Sequence, residues 1–308
     1  MSSNMWDAQF IVDIEMARRV CINECDIGIK SITAFGEGWD NTAYLINEEL
    51  VFRFPRREIA VSCMLAEIAL LPIVKTSIEI PELKYFNMKS KITGKPFVGY
   101  KRIKGSPVGT LELNETEISN LVRPIAKFLK ELHTTCVPKN IAEKWEKNQE
   151  WRTDIKGRIQ LAEKMFKKSS EMGIDFNYDF EEVKNKLENV HYPKFKTLVH
   201  GDFYPLHILI DYPNQLSGII DWGDSHFGSP CQDLSIAFGF FPKEVLSDFE
   251  DEYGPLPDEW KIASAFRAFC HSLSLLPFTI EKEMVVLKKQ MINSNIRSKE
   301  WIDELVKD

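Results

Sequence analysis

The spacing of hydrophobic positions changes several times along the chain, and each change marks a new element. Residues 6–20 place Phe10, Ile11, Ile14 and Ala17 along one side, which predicts an amphipathic helix. The runs 29–35, 42–46 and 50–54 are short, β-rich and separated by turn residues, as in an antiparallel sheet. A helix is predicted over 58–71, and 97–105 reads as a last strand running into a linker. Beyond that point the pattern is helical. Residues 115–134 carry Ile118, Leu121, Val122, Ile125, Ala126, Leu129 and Leu132 at helical spacing, with Pro124 as a kink point. Segments 143–172 and 178–190 predict charged helices with narrow apolar stripes, solvated insertions on the substrate side. Two apolar runs, 208–210 and 216–220, predict a hairpin turning at Pro213 and Asn214, and helices follow at 232–240, 242–251, 258–276 and 280–292. The fold class is therefore α+β, with a small sheet-rich part before a larger helical one.

Composition narrows the setting. The 308 residues are 44% apolar and 28% charged, a globular composition long enough for two domains or one two-part enzyme. A net charge of −7 argues against nucleic acid or an acidic membrane as partner, and it permits a cationic small molecule. The first residues show no basic segment leading into an apolar core, and no run approaches the roughly 18–20 apolar residues of a membrane span. A cytoplasmic monomer is the expectation. Six scattered cysteines, with Cys21 and Cys25 as the one close pair, suggest reduced thiols and no zinc site.

The predicted hairpin carries the chemistry. Polar residues cluster just before its first strand and just after its second, which brings Asp202, His207 and Asp221 to one end. Two carboxylates and an imidazole gathered there suit metal-dependent phosphoryl transfer. His207 stands five residues after Asp202, and Asp221-Trp222-Gly223 begins 19 residues after it. Protein kinases space a catalytic-loop Asp, a metal-binding Asn and a later D-F-G in the same order.

This set of residues resembles the aminoglycoside phosphotransferase family, the protein-kinase-like antibiotic kinases, and is nearest in look to the 2''-aminoglycoside and macrolide phosphotransferases. The resemblance implies a two-lobed kinase-like fold: residues 1–105 form a nucleotide-binding lobe with a hinge at about 99–105, and 106–308 form a helical catalytic and substrate-binding lobe. It implies that Asp202 accepts the acceptor's hydroxyl proton and that His207 and Asp221 hold Mg2+. A His in place of Asn is compatible with a metal ligand, although Mg2+ prefers oxygen. Arg53 takes the position of the kinase strand Lys, with Glu67, fourteen residues on, as its helical partner. The other reading of that pair is a surface ion pair. Gly36 and Gly38 match the flap over the phosphates, though a G-x-G also makes an ordinary tight turn. Tyr100, Lys101 and Ile103 match the hinge that meets the purine. Tyr100 stands where related enzymes carry a bulky residue that lets guanine bind, so the donor is ATP or GTP; equally, it is a strand aromatic. His200 and Asp233 are implied to brace the catalytic loop.

The implied activity is transfer of the γ-phosphate to a hydroxyl of an antibiotic, an aminoglycoside first and a macrolide next. Asp224, Glu250 and Asp251 offer carboxylates for a cationic acceptor, although a charge run is more often a solvated helix face. Trp260, Phe266, Phe269 and Phe278 offer aromatic surface for a macrolide, with core packing as the other reading. Two alternatives keep the fold: a metabolic kinase for choline, homoserine or a sugar, and a nucleotide-binding pseudokinase without turnover. The latter is opposed by the joint presence of Asp202, His207 and Asp221.

Overall fold

A computed structural model describes residues 6–139, 141, 154–187, 190–193, 195–211 and 214–306. The predicted helical start at 143–153, the last turn at 188–189 and Pro213 of the hairpin turn lie outside the described residues. The chain divides into two units. One comprises Met1–Val74, Glu79–Ile103 and Asp221–Ser225; the other comprises Lys75–Ile78, Lys104–Ile220 and His226–Asp308.

The first unit is built on an antiparallel sheet of β1 (Ile32–Glu37), β2 (Asn41–Ile46), β3 (Leu50–Pro55), β4 (Leu83–Asn87) and β5 (Phe97–Lys101), in the order β1-β2-β3-β5-β4. Alternation along β3 sorts its side chains to two faces. Phe52 and Phe54 join Phe97, Tyr44 and Ile46 in one core, which α1 (Ile14–Cys25) covers with Ala17, Val20 and Cys21. Val51 faces the other way, with Val98 and Tyr100 of β5 and with Met64 and Ile68 of α2 (Glu58–Leu70). Arg53 alternates with Phe52 and Phe54 and so shares the α2 face. That parity is why Arg53 and Glu67 can meet.

Helix α1 begins at Ile14, not at residue 6. Asp13 caps it, its Oδ1 accepting from the Met16 N–H at 2.8 Å, so residues 6–13 approach in a non-helical conformation. Ile11 and Ile14 of the predicted apolar face are exposed. Strand β4 was absent from the predicted pattern.

In the second unit, β7 (Thr197–Val199) pairs with β10 (His226–Gly228), and β8 (Ile208–Asp211) pairs with β9 (Gln215–Ile219), with β6 (Ser106–Pro107) added at the edge of β8. The loop from His200 to His207 is thus pinned between two ladders. Helices surround it: α3 (Glu115–Ser119), α4 (Val122–His133), α5 (Ile155–Glu171), α6 (Phe180–Leu187), α7 (Cys231–Gly239), α8 (Leu246–Tyr253), α9 (Asp258–Glu281) and α10 (Val285–Leu305). The stretch 115–134 breaks into two helices, and Pro124 falls in the first turn of α4, where no intrahelical N–H is needed. Pro277, by contrast, is carried inside α9, which continues to Glu281. The stripes of α5 and α6 are not solvated insertions. Ile159, Ala162, Met165, Phe180, Val183 and Leu187 are buried, and α5 packs on α9.

None of the six cysteines forms a disulfide. Among the described residues no helix is long and apolar enough to cross a membrane.

Candidate active site

In the first unit, Arg53 stands between two carboxylates. Its Nη1 donates to both oxygens of Glu67, at 2.8 and 3.0 Å, and its Nη2 donates to Asp221 Oδ1. Arg53 and Glu67 are buried, so this is not a surface ion pair. Asp221 arrives with the 221–225 segment, in which Gly223 lies against Cys63 and Glu67 of α2. Its backbone is left-handed (φ 62°), a conformation that a non-glycine residue holds at some cost and that concentrates at functional positions. Beside it, Asp40 is held by Arg57, whose Nε donates to Oδ1 at 2.8 Å.

These acids crowd one another. Burial, the largest influence, pushes the Glu67 carboxyl up to about 7, with the charges of Asp221 and Asp224 adding to it and Arg53 opposing. Asp40 is raised for the same first reason, with Arg57 opposing and Asp224 and Asp221 contributing. Oxygen donors gathered in this way suit a hard divalent cation. Among the described residues no three metal-ligating side chains form a ready-made cage.

The β1–β2 hairpin carries Gly36 and Gly38. Gly38 N–H donates to Asn41 C=O at 3.0 Å, and Gly38 C=O accepts from Arg56 Nη1 at 3.0 Å, so the connection after β3 ties down the tip. Tyr100 is buried on the α2 face next to Arg53, and burial above all raises its phenol. Lys101 is exposed at the end of β5, opposite Leu50, and Ile103 is buried.

In the second unit, Asp202 lies at the centre of a tightly braced loop. Gly201, with φ 83°, makes the turn that a side chain would resist. Asp233, fully buried in the first turn of α7, accepts from His200 N–H at 2.7 Å and from Gly201 N–H at 2.8 Å. Its Oδ2 also meets His133 Nε2 at 3.1 Å, and His133 Nδ1 meets Tyr253 Oη at 2.8 Å. His200 is buried, its Nε2 donating to Ile220 C=O at 3.0 Å. His207 turns Nδ1 to the Asp202 C=O at 2.8 Å; in the neutral ring that places the lone pair on Nε2, the tautomer a metal ligand needs.

Two residues that the sequence reading did not single out complete this loop. His271 of α9 places Nε2 at 3.1 Å from Asp202 Oδ1. Arg267, one turn earlier, donates from Nη2 to Gly201 C=O at 3.3 Å and lies 3.6 Å from Asp202 Oδ1. Burial alone would raise the Asp202 carboxyl, but the His271 hydrogen bond and the charges of His271, His207 and Arg267 outweigh it. The carboxyl therefore ionises well below the usual range. The available signal was two basic residues four apart in an otherwise apolar helix.

The expected acceptor residues fall elsewhere. Asp224 joins the acids of the first unit. Glu250 accepts from Leu256 N–H at 2.9 Å and pairs with Lys261 at 3.1 Å, while Asp251 pairs with Arg123. Both carboxylates are thus engaged in ion pairs around α8, Asp251 from an exposed position. Phe266, Phe269 and Phe278 are core residues, and Trp260 packs edge-on against Phe195.

A family model described as the phosphotransferase enzyme family matches residues 31–263. The protein YcbJ of Bacillus subtilis (strain 168), itself uncharacterized, is 24% identical over 219 residues, 66% of this chain and 68% of its own length. The structure of the GDP and kanamycin complex of APH(2")-IIia is similar with a TM-score of 0.65 at 23% identity, covering 95% of this chain and 98% of that one. Macrolide 2'-phosphotransferase type I is similar with a TM-score of 0.60 at 17% identity, covering 92% and 98%. At these identities the structural likeness is one of fold: a small antiparallel sheet unit with a larger helical unit, of the kinase-like kind.

Proposed function

The chain belongs to the phosphotransferase enzyme family, and from that premise we propose that it moves the γ-phosphate of ATP or GTP to a hydroxyl of a small molecule, with Mg2+ as its metal. The observation that carries the reading is the bracing of Asp202: Asp233 fixes the loop beneath it, and His271 and Arg267 fix the carboxylate itself. An ionised, oriented carboxylate is what a hydroxyl needs to give up its proton as it attacks phosphorus. In the step, the acceptor oxygen bonds the γ-phosphorus while the bond to the β–γ bridging oxygen breaks. The nucleoside diphosphate leaves, and the hydroxyl proton passes to Asp202.

Arg53, aligned by Glu67, would bind the α/β-phosphates, and the Gly36–Gly38 tip would cover them. Tyr100, Lys101 and Ile103 would meet the purine. Asp221 and His207 would hold Mg2+, which when bound neutralises charge on the β- and γ-phosphates.

For the acceptor, an aminoglycoside is supported by the kanamycin in the fold neighbour, and a macrolide by the second neighbour's name. A second reading, a neutral sugar or other alcohol, is favoured by a specific observation. Glu250 and Asp251 are paired within α8's surroundings, and the groups flanking Asp202 are basic.

The test is nucleotide turnover by the purified protein with ATP or GTP and Mg2+, with and without aminoglycosides, macrolides, sugars and amino alcohols, beside Asp202→Asn. Turnover stimulated by one acceptor class and lost in the variant is the expected outcome. A protein that binds neither nucleotide would overturn the reading.

A further inference from the structure

Helices α7, α9 and α10 meet beside the Asp202 loop around a small recess. Ser235 and Gly239 contribute from α7, Ala268 and His271 from α9, and Gln290 and Ser294 from α10. A Cβ at Gly239 would overlap Ser294 Oγ, so α7 and α10 meet closely there. With Tyr204 these residues line a recess of about 20 Å³, room for one group the size of a hydroxyl or a water. The recess adjoins the proposed base through His271, which both lines it and bonds Asp202.

Gln290 gives the recess its polarity. Its Nε2 donates to the Val108 C=O at 3.0 Å, which fixes which end of the amide is which. Oε1 is then an acceptor shielded from solvent with no hydrogen-bond partner. A buried acceptor left unmatched is unfavourable and calls for a donor. Charge restricts what that donor can be. None of the residues lining the recess carries a carboxylate; its ionisable side chains are His271 and Tyr204, and Arg267 stands a turn away. Burial, then Arg267, lowers the His271 imidazole against the pull of Asp202. An ammonium placed there would be buried without a counter-ion, whereas a hydroxyl donates to Oε1 with no charge to balance.

We propose that this recess anchors the acceptor through an uncharged hydroxyl neighbouring the one that reacts on Asp202, so that the substrate is a neutral polyhydroxylated molecule and not a polycation. The inference rests on the phosphotransferase reading and narrows its substrate. The anchor acts on binding and alignment, and the transfer step is unchanged.

The experiment compares acceptors and variants in the full chain. Neutral hexoses, pentoses and polyols are tested beside kanamycin, gentamicin and small amino alcohols, with ATP and GTP and Mg2+, and nucleotide affinity is measured separately by calorimetry. A neutral polyol or sugar is expected to stimulate turnover at least tenfold better than the cationic compounds. Gln290→Leu removes the acceptor atom and Ala268→Val fills the recess. Each is expected to lower kcat/KM for that neutral acceptor about tenfold, the scale of one lost hydrogen bond, with nucleotide affinity held and the protein still folded at the assay temperature. Preference for kanamycin or an amino alcohol overturns the proposal, as does a kcat/KM within twofold of wild type in both variants. Nucleotide binding with no neutral acceptor turned over also counts against it, while leaving the phosphotransferase reading in place. Absence of nucleotide binding overturns that reading instead.

Discussion

Asp233 is the residue on which the loop's geometry depends. One buried carboxylate collects the N–H groups of His200 and Gly201 and a ring nitrogen of His133. Asp233→Ala leaves those three donors without their acceptor, and it is expected to destabilise the protein by about 3–5 kcal/mol, read by chemical denaturation. His200 makes a second prediction, about pH. Burial, the largest influence, lowers its imidazole below the ordinary value against the opposing charge of Asp233. The folded state therefore binds fewer protons than the unfolded state below about pH 6.5, and stability falls as the pH is lowered through that value. One such group contributes a slope of at most about 1.4 kcal/mol per pH unit. Denaturation midpoints at pH 7.5 and 5.5 should differ in that direction, and less so in His200→Gln. A midpoint that rises on acidification would contradict the assignment.

At the scale of elements, the sheet is set by a pairing that only one residue type permits. Phe52 of β3 lies opposite Gly99 of β5, and a Cβ at Gly99 would meet the Phe52 ring at 2.7–2.9 Å. Gly99→Ala is expected to cost about 1–3 kcal/mol, the scale of overpacking, and Phe52→Leu in the same chain should recover part of that loss. Thermal melts of the two single variants and the double variant decide it. The elements that could be read from sequence are those whose period is unbroken. The runs at 42–46 and 50–54 are short, apolar and bounded by turn residues, and both are strands of the sheet. The failures are local choices that override period. Asp13 offers its carboxylate to Met16 N–H and starts α1 later than the apolar spacing suggests. The segments predicted at 258–276 and 280–292 are divided differently, because α9 carries Pro277 inside it and continues to Glu281. Strand β4 alternates only between half-buried and exposed positions, too weak a contrast to be distinguished from a loop.

Across the whole molecule, residues with proposed roles occur in each unit, and what was legible follows their distance in sequence from a motif. Residues close in sequence to a motif could be read from it: Asp202 and His207, or Asp221. The pairing of Arg53 with Glu67 was expected from the resemblance to kinases, and it is present in the first unit. Arg267 and His271 were not legible, because they reach Asp202 from 65 and 69 residues away and only packing of α9 on the loop brings them there. The division has a kinetic consequence. Arg53→Lys keeps the charge but loses the guanidinium fork that spans Glu67 and Asp221, so it should weaken nucleotide binding, raising the nucleotide's KM by about tenfold or more. Asp202→Asn removes the proton acceptor in the other unit and should lower kcat by at least about 10²-fold. Its nucleotide Kd should be unchanged, because the groups proposed to hold phosphate are untouched. Steady-state kinetics with calorimetric nucleotide titrations on the two variants separate these effects. If Asp202→Asn lost nucleotide affinity while Arg53→Lys kept it, the roles assigned to the two units would have to be exchanged.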